Sequence, residues 1–201
     1  MKRHHRFSRY TLLVLLLTLH LLSSCNAEGE YSTWPCFFAY DNSLHLDANL
    51  SSAMSADSRG VFCKIWETTM GGRYYWFQNN QGLDATSQPL TAIEQQADFV
   101  LGLHNGIIVG YQTFNTSPNG GFVAYDVQCP NCVRREGNTL NPKYAVTMSA
   151  NGIATCPKCG KKYDLNNGGM IQNGEEGDTG LAKYMAVTTG PFGYITAGTK
   201  R

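Results

Sequence analysis

Four of the chain's seven cysteines fall into two pairs, Cys129-Pro130-Asn131-Cys132 and Cys156-Pro157-Lys158-Cys159. With two residues between them, the cysteines of a pair can sit on one backbone knuckle and point both sulfurs at one ion, so each pair is half of a tetrahedral site. In both pairs a proline follows the first cysteine and presets φ where the chain turns. Gly160 follows the second pair, where a positive φ is often required. Residues 133–155 separate the pairs, slightly more than the roughly 15 to 20 residues of a zinc ribbon. The pattern predicts a four-thiolate metal site at Cys129, Cys132, Cys156 and Cys159; two disulfides or buried free thiols are the alternative.

The N-terminus bears on how the other cysteines are used. Residues 1–24 place Lys2, Arg3, Arg6 and Arg9 ahead of an apolar run from Thr11 to Leu22 and close on Ser23-Ser24-Cys25. That run is too short to span a hydrocarbon core needing about 20 residues, and it has the layout of a secretory signal. Leu22-Ser23-Ser24-Cys25 resembles the bacterial lipobox. The resemblance implies cleavage before Cys25, a lipid on Cys25 and a location in the bacterial cell envelope, anchored to a membrane on its periplasmic or outer face. Four of the 16 Lys and Arg residues lie in the signal, so the mature chain carries 12 against 15 Asp and Glu, a slight acidic excess. Such a balance gives no footing for nucleic acid or a polybasic membrane face. Export permits disulfides, and with five cysteines allotted, Cys36 and Cys63 are left as a candidate pair.

Residues 25–33 read as a lipidated N-terminus and polar tether, and 34–201 as a single domain long enough to bury a core. Strands are expected at Phe37–Tyr40, Gly60–Thr68, Arg73–Gln78 and Phe122–Asp126, and in short runs around both knuckles. The four aromatic residues of Arg73–Gln78 read as strand and core. Thr91-Ala-Ile-Glu94 has capping-box spacing and predicts one short helix through about Ala97. Phe99–Leu103 and Ile107–Tyr111, joined around Asn105-Gly106, predict a hairpin with His104 at its turn. Ser117–Gly121 predicts another turn. Leu50–Met54 could form one helical turn. Ala182–Thr188 and Tyr194–Ala197 predict a closing hairpin. About ten short strands with frequent glycine turns predict an all-β antiparallel sandwich or barrel. A small metal-binding two-loop subdomain is expected over about 127–169. The acidic run Glu175, Glu176 and Asp178, and Lys158, Lys161 and Lys162, read as solvated loop charge.

The order of these elements resembles the Rieske domain. Ala124–Cys132, then Gly152–Gly168, then Tyr184-Met-Ala-Val match its pattern of two strand-borne ligand loops and a final hairpin, over about residues 99–198. The resemblance implies a Rieske-like β fold with a cluster-binding subdomain at one end. A Rieske centre, however, holds one iron by two cysteines and the other by two histidines. Here Cys159 stands at the second histidine, Cys132 replaces the first one position later, and no histidine follows His104.

A His-ligated cluster therefore cannot be built from these loops. Four thiolates leave structural zinc as the leading cofactor, with a rubredoxin-like single iron or an all-cysteine 2Fe-2S cluster as alternatives. The corresponding functions are a lipid-anchored binding or accessory module, an electron-transfer protein with a redox partner in the envelope, and an oxidoreductase component. No Ser-His-Asp or Cys-His constellation points to an enzyme.

Overall fold

The computed structural model describes residues 31–69, 71–114, 120–137 and 141–199, which lie in one compact unit. Cys25 and the signal lie outside the described residues, as does most of the Ser117–Gly121 turn. The fold is mostly antiparallel β. Its strands are β1 Phe37–Asp41, β2 Phe62–Thr68, β3 Tyr74–Asn79, β4 Thr86–Pro89, β5 Ile107–Tyr111 and β6 Phe122–Asp126. They continue with β7 Thr147–Met148, β8 Ile153–Thr155, β9 Lys162–Asp164, β10 Met170–Ile171, β11 Lys183–Thr188 and β12 Tyr194–Gly198. Eight strands form a curled half-barrel sheet in the order β1-β12-β11-β6-β5-β2-β3-β4, and β10-β9-β8-β7 form a second, small sheet.

The central strands are covered on both faces. In β5, Ile107 and Val109 enter one core while Ile108 enters another; in β6, Phe122 and Ala124 face the first and Val123 and Tyr125 the second. This double burial is why both strands read as continuous apolar runs instead of alternating ones. The first core is filled from β1, β2, β3 and helix α2 (Ala48–Ala53), which supplies Leu50 and Ala53. The second lies against the small sheet and includes Cys129, Cys132, Cys156, Tyr163 and Leu165. Gly110 keeps β5 close to β2, since a Cβ there would stand 2.4 Å from the Val61 carbonyl.

Several local expectations change. Phe99–Leu103 is not a strand: Val100 makes a single bridge to Phe37, and the chain then closes through Gly106 N–H to the Leu101 carbonyl. The buried Asp126 carboxylate captures the Leu103 N–H at 2.6 Å, taking a donor that a hairpin ladder would have used. Thr91 and Glu94 do form the reciprocal capping box, but it opens only a 3-10 turn, Glu94–Gln96. The Asn- and Asp-rich segment after β1 yields α1 (Asn42–His45) and α2, capped by Asp41 and Asp47 accepting from Ser43 and Leu50 N–H. β4 was hidden in a turn-rich stretch; it pairs with β3 as an edge strand that ends at Pro89, where a missing donor is tolerated.

A candidate four-cysteine metal centre

β6 runs out through Val127 and Gln128 to Cys129, which is the N-cap of α3, Pro130–Arg135. The first knuckle is therefore a helix start rather than a free loop, with Pro130 in the first turn where its missing N–H costs nothing. Cys129 N–H donates to the Tyr144 carbonyl and Val146 N–H to the Val127 carbonyl, fixing this arm to the segment that leads into β7. The second knuckle joins β8 to β9. Cys156 N–H donates to the Lys161 carbonyl, Gly160 N–H donates to the Cys156 carbonyl, and Gly160 takes φ +70. A side chain at Gly160 would be strained in that conformation.

The two arms bring all four Sγ atoms within 4.8 Å of one another. Cys129 and Cys159 are 3.7 Å apart, as are Cys132 and Cys156. A tetrahedron with metal–sulfur bonds of about 2.3 Å has edges of about 3.8 Å, so the donor set fits one tetrahedral ion. Cys129, Cys132 and Cys156 are buried, and Cys159 is partly exposed. Backbone N–H groups converge on the sulfurs, that of Cys132 on Cys129 and those of Cys159 and Lys158 on Cys156. They stabilise thiolate charge in the way the knuckle turn is suited to do.

Electrostatics sort the sulfurs. The hydrogen bond from Cys156, with those from Tyr163 and the Cys132 N–H, outweighs burial and brings Cys129 down to about 5. Burial pushes Cys132 up to about 12, and the thiol bonded to Cys129 is itself raised at Cys156. A bound cation would draw protons off the thiols raised at Cys132 and Cys156, coupling metal binding to proton release.

Around the ligands lies a shell that sequence reasoning missed. The Tyr163 hydroxyl donates to Cys129 Sγ at 3.0 Å and accepts from Asn131 Nδ2 at 3.0 Å. Asn131, inside the first knuckle, also donates to the Thr179 carbonyl and accepts from Thr179 N–H. Asp178 and Lys161 correct the solvated-charge reading. The Asp178 side chain is 1% exposed and pairs with Lys161 at 2.8 Å and Arg135 at 2.9 Å, and the Lys161 side chain is 6% exposed. Lys161, followed by the Glu175 N–H, holds Asp178 down to about 2. The 173–180 segment is thus strapped over both knuckles, and the subdomain extends beyond residue 169. Glu175, Glu176, Lys158 and Lys162 are exposed, as expected. The one available signal was an Asn placed between two ligand cysteines.

Cys36 and Cys63 are a correction of a different kind: both are free buried thiols, not a disulfide. Cys36 lies beside the Gly102 backbone and Asp126, whereas Cys63 lies beside the Gln78 backbone and in the field of Asp47. Burial pushes Cys36 up to about 12 and raises Cys63 as well, leaving both inert. The aromatic run is a strand, with Tyr75 and Phe77 fully buried in the core and Tyr74 and Trp76 on its partly exposed face.

Comparisons with protein-family models, with curated proteins and with solved structures give no match.

Proposed function

We propose that this chain is a lipid-anchored envelope protein whose Rieske-like domain is locked at one end by a single zinc ion on Cys129, Cys132, Cys156 and Cys159, and that it serves as a binding or accessory module. The observation that carries the metal reading is the compact cage, all four Sγ within 4.8 Å. A 2Fe-2S cluster sets two irons between its thiolate pairs and so spreads the pairs apart by a further metal–metal separation, which a cage this compact does not favour. The Rieske-like part rests on the element order and on two strand-borne loops facing one another. The anchor rests on the Leu22–Cys25 motif alone.

These residues would hold the ion, which when bound supplies a cross-link between α3 and the β8–β9 turn. The chain's own groups do the rest: N–H donors and Tyr163 neutralise sulfur charge, Asn131 ties the first knuckle to residue 179, and Asp178 binds the helix end to Lys161. A second reading has an observation of its own. Cys159 is partly exposed while the other three sulfurs are buried, which would give a single iron an exit for electrons.

Elemental analysis with a visible spectrum of the mature protein separates these. One zinc per chain without visible absorption is expected. Stoichiometric iron whose colour bleaches on reduction would overturn the structural reading in favour of electron transfer. Replacing Cys25 by Ser is expected to remove detergent partitioning and the lipid mass; unchanged partitioning would remove the anchor from the proposal.

A further inference from the structure

The outward face of β2 carries Phe62, Lys64 and Trp66. Phe62 is covered by the small sheet, and the next two residues border the gap beside it. Two hollows of about 450 and 280 Å3 flank Lys64, which lines both. Their far walls come from the metal-bearing subdomain: Val146 to Met148, with the edge strand β7, on one side, and Pro142 and Ala145 on the other. The larger volume lies within, and the smaller just below, the roughly 300–1,000 Å3 range of small-ligand sites.

The lining has a definite chemistry. No Asp or Glu borders either hollow, and Lys64 has no carboxylate partner among the described residues. Its ammonium is held 5.1 Å from the centroid of the Trp66 ring, a cation–π contact that positions the charge without neutralising it. Burial lowers the Lys64 pKa, a cost that a bound anion would relieve. Gln128 borders the smaller hollow; it is wholly buried, and both its amide oxygen and its amide nitrogen lack partners among the described residues. Buried amides are nearly always satisfied, so this one calls for an occupant that both donates and accepts.

We propose that the smaller hollow forms a binding site for an acidic monosaccharide unit, with its carboxylate on Lys64 and a hydroxyl on the Gln128 amide. One uncompensated cation selects a monoanion, and groups that donate and accept together select hydroxyls over further charge. The site lies between the large sheet and the metal-bearing subdomain and does not depend on which metal the cysteines hold.

The metal-loaded protein titrated with glucuronate, followed by tryptophan fluorescence and amide chemical shifts, tests this. Saturable binding is expected, with shifts at Lys64, Trp66 and Ala145, and glucose should bind at least tenfold more weakly. Lys64→Gln should lose at least tenfold in glucuronate affinity with metal content and melting unchanged, while Lys64→Arg keeps most of it. Gln78→Ala, exposed and bordering only the larger hollow, should leave glucuronate affinity unchanged, and a loss as large as that of Lys64→Gln would overturn the placement. Glucuronate binding no tighter than glucose, or undiminished in Lys64→Gln, would overturn the proposal.

Discussion

Cys129 is the residue on which the local chemistry converges. It caps α3, receives the Cys132 N–H and the Tyr163 hydroxyl, and is the sulfur most ready to be a thiolate. Tyr163→Phe removes one buried O–H···S bond and leaves the Asn131 amide short of an acceptor. It is expected to cost about 1–3 kcal/mol in chemical denaturation, the range for an orphaned buried polar group; an unchanged midpoint would show that the hydroxyl contributes nothing. Cys156→Ser and Cys159→Ser should each lose metal and destabilise the small sheet and the core packed against it, because binding energy at such a site is folding energy. Thiol counting addresses the remaining cysteines. Six reactive thiols are expected in the denatured, metal-free, unreduced mature chain if Cys25 is blocked by lipid, since Cys36 and Cys63 are both free. Four would mean that they are joined after all.

At the scale of elements, the strap over residues 173–180 matters most. Asp178 sits below its ordinary value because Lys161 stabilises its charged form. A carboxylate so depressed contributes stability that is complete above its unfolded value of 3.8 and vanishes as pH falls through about 2. Asp178→Asn should therefore be less stable than the native chain near neutrality, and the gap should close on acidification across that window. A constant gap would mean that the charge is immaterial. The elements also show what could be read from sequence. Both knuckles, β2, β3, β5, β6 and the closing hairpin were legible, because turn chemistry and apolar runs are local. The Phe99–Leu103 segment was not, since its fate depends on a carboxylate at Asp126 far along the chain. Nor was Asp178, whose burial follows from Lys161 and Arg135 meeting it across the subdomain. A capping box at Thr91 and Glu94 predicted a helix start correctly but not its length, which the following residues decide.

For the whole molecule, two cores divided by the central strands imply two tiers of stability. The first core is enclosed by the curled sheet and α2, with no contribution from the cysteine cage. The second contains three of the four cage cysteines, Cys129, Cys132 and Cys156. Chelation should therefore abolish hydrogen-exchange protection in β7 to β10 while the amides of β2, β3 and β5 remain protected. Uniform loss across both would show that the domain folds as one unit around its metal. The account as a whole stands on a single ion in an all-sulfur cage. X-ray absorption at the edge of the bound metal tests that most directly: four sulfurs at about 2.3 Å with no second metal are predicted. A shell containing nitrogen or oxygen, or a short metal–metal distance, would contradict it.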